Sequence, residues 1–416
     1  MNRRTLLALA LLLLPLAPRA HAQSILDEPR KFVERLRKES RIERKMALGE
    51  IRGVLGFYKR PAPPDWSERT WKKGKLEVVH GVPVLRLEGT PEEMAEQHAH
   101  LLKKECRVLV DHYLPEFLGK RELERGRDEA RRLFWPHLSD SEKKEIQVFA
   151  RESGIDEKDV LLSQCFPDLY RAWGCSTLAA VGSGTAEGPL LARNLDFLTM
   201  GYLQDFSVVV VAKPEGKKPY VSVTWPGLLG VLSAQNDSVA LAVMVVHDEH
   251  GCDEGVPFQL AFRRAIEEAS TAEDVQRTLE RLPLTVTNNL MVVDHDGGAR
   301  LLEITPEKIV ARKPDAGGHI TSTNHFQSDA LKERRVTLTY RSSVQRLAAL
   351  TKVCGKQEKT TIPLACEALR AAAAGKINVQ SMVFLPGAGE ILVAFGKTPA
   401  ADHAFVKLSR DELLGH

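Results

Sequence analysis

The pattern of apolar and polar positions changes character near residue 174. Before it, the chain reads mostly as helices; after it, short apolar runs separated by polar turns read as strands. Ile25 to Arg60 is charged and helix-favouring, broken by glycines and ended by the proline cluster Pro61 to Pro64, so it predicts a peripheral arm and a linker. Leu76 to Leu87 alternates as a short hairpin or strand pair would. At Gly89-Thr90-Pro91-Glu92-Glu93 a helix should begin, with Thr90 as N-cap, Pro91 in the first turn and Glu93 completing a capping box, and run to about Tyr113. Further helices are expected over Arg121–Leu133, Ser139–Ser153 (a second capping box, Ser139 with Glu142) and Glu157–Leu169.

The second half predicts strands at Asp205–Ala212 and Pro219–Val223, and two more within Val231–Val246 around a turn at Gln235–Ser238. Helices follow at Pro257–Glu268 and Thr271–Leu282. Next come a hairpin of Thr287–Asp294 and Ala299–Ile304 with Glu303 near its end, and a strand at Ile309–Arg312. A helix opens at Ser342, and a closing hairpin pairs Met382–Leu385 with Ile391–Phe395.

The stretch most informative about chemistry is Trp173 to Phe197. Two apolar runs flank a small-residue turn at Val181 to Pro189, which reads as a β-hairpin. Its first strand opens on Cys175, and its second carries Arg193 and Asp196. Taken alone, a cysteine here is more often a small core hydrophobe than a nucleophile. A cysteine facing an arginine and an aspartate three residues apart also fits a nucleophile with charged partners.

Composition narrows the field. The chain has 416 residues, 43% hydrophobic and 27% charged, an ordinary globular balance, and its net charge of +3 gives no footprint for nucleic acid. Met1 to Ala22 reads as a secretory signal. Arg3 and Arg4 form its basic region, Leu6 to Leu16 its apolar core, and Ala20-His21-Ala22 a small-x-small cleavage site. The apolar core is short for a membrane-spanning helix, so a periplasmic or secreted protein without stable membrane insertion is expected. Export permits disulfides among the six cysteines, Cys106, Cys165, Cys175, Cys252, Cys354 and Cys366. Cys354 and Cys366 are near in sequence, but spacing does not fix a pairing. No Cys-x-x-Cys occurs, which argues against a thiolate zinc site. His98 and His100 read as packing or surface residues of their helix. The ligand-rich run His247 to Glu254 reads as a solvated loop, because its spacing matches no metal-site or catalytic motif.

Gly174-Cys175-Ser176-Thr177, a short hairpin, then Arg193-Asn194-Leu195-Asp196-Phe197 resembles the N-terminal-nucleophile (Ntn) hydrolases of the choloylglycine hydrolase, acid ceramidase and isopenicillin N acyltransferase group. The acyltransferase branch is the nearer match, and its precursors cut themselves before an internal cysteine. Gly89 to Leu102 resembles that branch's early motif, with Ala99 where its pattern has glycine. Thr323-Asn324 and Ser342-Ser343-Val344-Gln345-Arg346 resemble two later motifs.

The resemblance implies an α+β fold, a four-layer αββα sandwich with an α-rich N-terminal pro-segment. It divides the chain into a signal peptide (1–22), a helical pro-segment or α chain (23–174) and an Ntn-hydrolase β chain (175–416), the cut segment staying as a noncovalent partner. It implies cleavage between Gly174 and Cys175, Cys175 as nucleophile with its own freed α-amine as base, Arg193 favouring the thiolate and Asp196 orienting the amine. Asn236 and Asn324 would serve as oxyanion donors, and Arg346 would add positive charge or hold Asp196. No metal or organic cofactor is implied. The expected substrate is a small-molecule acyl amide, hydrolysed or used for acyl transfer. A non-catalytic or lipid-deacylating, phospholipase B-like protein on the same scaffold is the alternative, and a thiol protease pairing Cys175 with His325 or His247 is a further one.

Overall fold

The computed structural model describes residues 58–171, 174–246, 248, 251–334, 340–355 and 357–414. The expected leader and nearly all of the expected arm lie outside these residues.

The segment before the cysteine is not purely helical. It supplies three strands, β1 (Arg69–Trp71), β2 (Gly74–Val79) and β3 (Val82–Gly89). The first long helix, α1 (Pro91–Leu101), opens on the predicted box: Glu93 N–H donates to Thr90 Oγ1 at 3.2 Å, and Thr90 N–H donates to the Glu93 carboxylate at 2.9 Å. It was expected to reach Tyr113 but ends at Leu101. The helical path resumes in short pieces, including a π-helical turn at Val108–Tyr113, and stops at Gly119, whose φ of 81° suits a residue without a Cβ. Helices α2 (Lys120–Leu133), α3 (Asp140–Ser153, with its Ser139–Glu142 box) and α4 (Glu157–Leu169) follow as predicted.

Downstream, β4 (Gly174–Ala180) and β5 (Leu190–Asp196) form the expected hairpin. Then come β6 (Val208–Pro214), β7 (Tyr220–Thr224), β8 (Ser233–Asn236), β9 (Val239–Val245), α5 (Phe258–Glu268), α6 (Ala272–Glu280), β10 (Asn288–Asp294), β11 (Ala299–Ile304), β12 (Ile309–Arg312) and β13 (His319–Ser322). The chain closes with α7 (Tyr340–Cys354), α8 (Ile362–Ala372), β14 (Asn378–Leu385), β15 (Glu390–Phe395) and β16 (Val406–Leu408). One sheet has ten strands in the order β1-β2-β3-β6-β7-β8-β9-β10-β11-β12, and the other six, β13-β4-β5-β14-β15-β16. Upstream strand β3 pairs in parallel with downstream β6, Val84 to Gly89 against Val209 to Pro214. The two parts of the chain therefore share one sheet.

The sheets stack through β4 and β5 against β9 and β10. Side chains of β4 and β5 alternate between two cores, as the two-residue period of a strand requires. Cys175, Ala179, Leu191 and Leu195 join the larger core, which includes the space between the sheets. Leu178, Ala180, Leu190 and Ala192 face α7 and α8 in a second core. Helices α1, α5 and α6 pack against the ten-stranded sheet, and α7 and α8 against the other, giving the four-layer αββα order. Helix α8 has no counterpart among the elements expected from the sequence; it opens with Thr361 as N-cap and Pro363 in its first turn. Among the described residues, no helix is long and apolar enough to cross a membrane.

Candidate functional site

Cys175 is the second residue of β4 and is fully buried. Its strand neighbour Gly174 sits opposite Asp196 of β5, and a Cβ added to Gly174 would lie 3.1 Å from Asp196 Cβ. Glycine thus lets the hairpin close tightly over the aspartate.

Three side chains from three elements meet this cysteine. From β5, Arg193 Nη2 donates to Sγ at 3.6 Å. From the loop after β13, Asn324 Oδ1 accepts the Cys175 N–H at 2.9 Å. From α7, Arg346 Nη1 donates to the Cys175 carbonyl, and its Nη2 donates to Asn324 Oδ1 at 2.7 Å. Asp196 joins from below, its Oδ2 lying 3.8 Å from Arg346 Nη1.

Each of these groups is itself held. Arg193 donates from Nη1 to Ser233 Oγ and from Nη2 to the Val243 carbonyl at 3.0 Å. Asn324 donates its backbone N–H to Ser343 Oγ and its Nδ2 to the Val245 carbonyl, both at 2.8 Å. Asp196 Oδ1 accepts from Asn378 Nδ2 at 3.1 Å, while Oδ2 has no hydrogen-bond partner among the described residues. Ser233 and Asn378 carry no sequence signal of their own. Ser343 stands in a recognised motif, but only the fold reveals that it braces Asn324.

Burial and charge oppose one another here. Burial pushes the Cys175 thiol above its ordinary range, Arg193 pulls it down, and Asp196 pushes it up. Burial also raises the Asp196 carboxyl, countered chiefly by Arg346. Both guanidiniums are pulled below their usual values by desolvation. With Asp196 ionised and the thiol neutral, two cations face one anion, and a thiolate at Cys175 would balance the group. The arrangement can therefore stabilise a thiolate and present hydrogen-bond donors around it.

Of the predicted site residues, Cys175, Arg193, Asp196, Asn324 and Arg346 are brought together, with Gly174 beside them. Asn236 is not. It sits at the β8–β9 turn, six strand residues from Val245, hence roughly 20 Å along β9 from the Asn324 contact. Its amide donates to the Ile266 and Ala269 carbonyls at 2.7 and 2.9 Å, and its Oδ1 accepts from the N–H groups of Ser238 and Val239. It is a turn residue that ties the hairpin to α5, the structural role asparagine commonly has in tight turns.

His325 does not join the cluster as a base. Its Nδ1 lies 2.8 Å from Ser343 Oγ and 3.2 Å from Thr323 Oγ1. Burial, then Arg346 and Arg312, push its pKa down to about 4. His98 is a buried packing residue, accepting the Gly227 N–H at 3.1 Å through Nε2 and also pushed down to about 4 by burial. His100 gains the third partner that the sequence had not revealed: Glu96, His100 and Glu152 converge closely enough to hold a metal ion. Lys72 Nζ, 2.6 Å from Glu96, and Arg151 Nε, 2.7 Å from Glu152, already supply positive charge there. In the run from His247 to Glu254, Asp248 is buried in ion pairs with Arg171 and Arg334, whereas residues 247, 249 and 250 lie outside the described residues. All six cysteines are free thiols, and Cys354 and Cys366 border the same apolar layer.

Residues 183–369 match the family model described as acyl-coenzyme A:6-aminopenicillanic acid acyl-transferase. Protein dcd1A of Dictyostelium discoideum is 28% identical over 236 residues, covering 48% of this chain and 52% of that protein. The acyl-coenzyme A:6-aminopenicillanic-acid-acyltransferase 40 kDa form of Emericella nidulans is 23% identical over 252 residues, 57% of this chain and 68% of that one. The chain thus spans about half the length of the first of these relatives. Among solved structures, the Caenorhabditis elegans N-acylethanolamine-hydrolyzing acid amidase ortholog superposes with a TM-score of 0.40 at 15% identity, over 56% of this chain and 99% of that one.

Proposed function

We propose that the chain is an exported, self-cleaving cysteine amidase or acyltransferase of the Ntn hydrolase kind, a reading supported by the match of residues 183–369 to the acyl-coenzyme A:6-aminopenicillanic acid acyl-transferase family model. The observation that carries this reading is the convergence of Arg193, Asn324 and Arg346 on the thiol, the N–H and the carbonyl of one cysteine that follows a glycine in a strand.

In the first reaction the Cys175 sulfur attacks the carbonyl carbon of Gly174. The C–N bond of Gly174–Cys175 breaks, a thioester forms, and the thiol proton passes to the departing nitrogen. Water then hydrolyses the thioester, leaving a carboxylate on Gly174 and regenerating the thiol. Cys175 now carries a free α-amine, whose ordinary pKa of about 8 lets it accept the thiol proton near neutral pH. Asn324 Oδ1, which already accepts the Cys175 N–H, would orient that amine, and Asp196 Oδ2 offers an open acceptor close by. In later turnovers the sulfur takes the acyl group from a non-peptide amide and passes it to water or to an amine.

The segment up to Gly174 would remain as a noncovalent partner, a reading supported by the parallel pairing of β3 with β6. Export rests on the leader-like residues 1–22, and a periplasmic or secreted location follows from it. The test is intact mass and N-terminal sequencing of the purified protein beside Cys175→Ala. Two chains, one beginning at Cys175, with an uncut alanine variant, are expected; a wild-type chain that stays uncut on long incubation refutes the reading. Release of acid from a panel of acyl amides and phospholipid esters then separates amidase from lipid deacylase.

A further inference from the structure

The last helix before the scissile bond carries an unusual stripe. Gln164, Asp168 and Arg171 recur at helical spacing along α4 and the residues after it, all three are nine-tenths or more buried, and each bonds across the cleavage point. Gln164 donates to the Gly227 carbonyl at 2.8 Å and accepts the Leu229 N–H at 2.7 Å. Asp168 Oδ1 accepts from Thr285 Oγ1 at 2.5 Å and from Phe258 N–H at 3.1 Å. Arg171 Nη1 donates to Thr287 Oγ1 at 3.0 Å and to Asp248 Oδ1 at 3.3 Å. Asp248 is shared: its Oδ2 accepts from Arg334 Nε at 2.5 Å, and Arg334 reaches on to Glu307 at 3.2 Å.

Burying polar side chains costs stability unless each is well bonded, and apolar packing would hold a helix to a sheet as firmly. A polar stripe adds what apolar packing lacks, a fixed register. The register matters here because Arg171 is three residues from Gly174. A chain of that length reaches at most about 10 Å, so the position of Arg171 limits where the scissile carbonyl can stand.

We propose that the Arg171–Asp248 pair is a latch that positions the Gly174–Cys175 bond for attack by Sγ. This rests on the self-cleavage reading above. Arg171 acts through the backbone and is a positioning residue. It touches neither the sulfur nor the carbonyl in its described contacts. Productive attack needs the reacting atoms about 3–3.5 Å apart, and a displacement of about 1 Å costs on the order of a hundredfold in rate.

The experiment follows the first-order cleavage rate of freshly refolded full-length chain by mass spectrometry, for wild type, Arg171→Gln, Arg171→Lys, Asp248→Asn and Gln164→Met. Thermal melting is measured on the same substitutions in the uncut Cys175→Ala background. Arg171→Gln and Asp248→Asn should slow cleavage by about ten- to a hundredfold, within the positional penalty above. Arg171→Lys should recover part of the rate. Gln164→Met, further from the bond, should lower the melting temperature at least as much yet cut near the wild-type rate. If wild type cuts and Arg171→Gln matches it, the latch is refuted while self-cleavage stands. Rates that simply follow melting temperature across the variants also refute it, because the residues would then be structural only. A wild type that does not cut overturns both readings.

Discussion

Arg193 is the cation nearest the thiol, and its removal gives the sharpest test of the proposed site. Its Nη2 lies 3.6 Å from Cys175 Sγ, and both side chains are fully buried. At an effective dielectric of about 20, two unit charges at that separation interact by about 4–5 kcal/mol, an upper bound on what the guanidinium contributes to the thiolate. Delocalisation of the guanidinium charge, and its bonds to Ser233 and Val243, reduce that contribution. The signs can be worked separately for each partner. Arg193 lowers the Cys175 pKa and Asp196 raises it. Arg193→Gln should therefore move the rise of cleavage rate with pH to higher pH, Asp196→Asn should move it to lower pH, and Arg193→Lys should stay near wild type because the charge is kept. The assay is the first-order rate of chain cleavage across a pH series, with far-UV circular dichroism confirming the fold at each pH. The position of the rise reports the thiol; its height reports the transition state and does not enter the test. Coincident rises for Arg193→Gln and wild type would show that Arg193 does not set the ionisation of Cys175, and the electrostatic account of the nucleophile would fail.

Three further outcomes follow from the geometry. Asn236→Ala removes four hydrogen bonds in the β8–β9 turn and should lower stability by about 2–4 kcal/mol in urea unfolding, yet leave the cleavage rate of the folded fraction unchanged. A collapse of that rate in a stably folded variant would restore Asn236 to the site. His325→Gln should leave the pH–rate profile unaltered, because a ring held at a pKa of about 4 and turned to Ser343 is neutral throughout the neutral range; loss of a limb from the profile would instead revive a thiol–imidazole pair. Asp168 has its pKa pushed up to about 7 by burial, from an ordinary 3.8, so the folded state prefers its protonated form. That preference contributes fully below the ordinary value and is lost as pH rises through about 7, a swing of up to about 4 kcal/mol. Asp168→Asn should accordingly raise the melting temperature more at pH 8 than at pH 5, and an equal change at both would refute the assignment.

The sequence was most readable where a local signal and the tertiary fold agree. The boxes at Thr90, Ser139 and Thr271 mark helix starts because the residues that signal the cap also make its bonds. The β4–β5 hairpin was legible from its apolar runs, and the Cys–Arg–Asp set from its order along them. Asn236 shows why the rest was not. A side-chain amide in a turn looks the same in sequence whether it faces a nucleophile or the carbonyls of a neighbouring helix, and only the three-dimensional path puts Ile266 and Ala269 within its reach. The braces of the site fail for a related reason. Ser233, Ser343 and Asn378 come from β8, α7 and β14, and nothing local distinguishes such residues from ordinary strand and helix polar positions. Upstream, the strand pair was foreseen, but its parallel pairing with β6 joins residues over a hundred positions apart, beyond the range of any periodicity argument.

The burial of Cys175 is best understood together with that shared sheet. A thiol with no exposed surface and a raised pKa is poorly suited to attack a molecule arriving from solvent. The carbonyl of Gly174 needs no entry path, being bonded to the same residue, and so burial that blocks external substrates leaves self-attack possible. On the proposed reading, the cut then changes two things at once: it gives the thiol an amine, and it frees the end of the chain at Gly174 from its covalent tie. Because β3 stays between β2 and β6, and Gln164 and Asp168 still bond across the break, the bulk of the upstream segment has no reason to leave. Cleavage would thus supply the thiol with its base while preserving the ten-stranded sheet, and the strength of the Arg171–Asp248 contact would set how well the bond is presented before the cut.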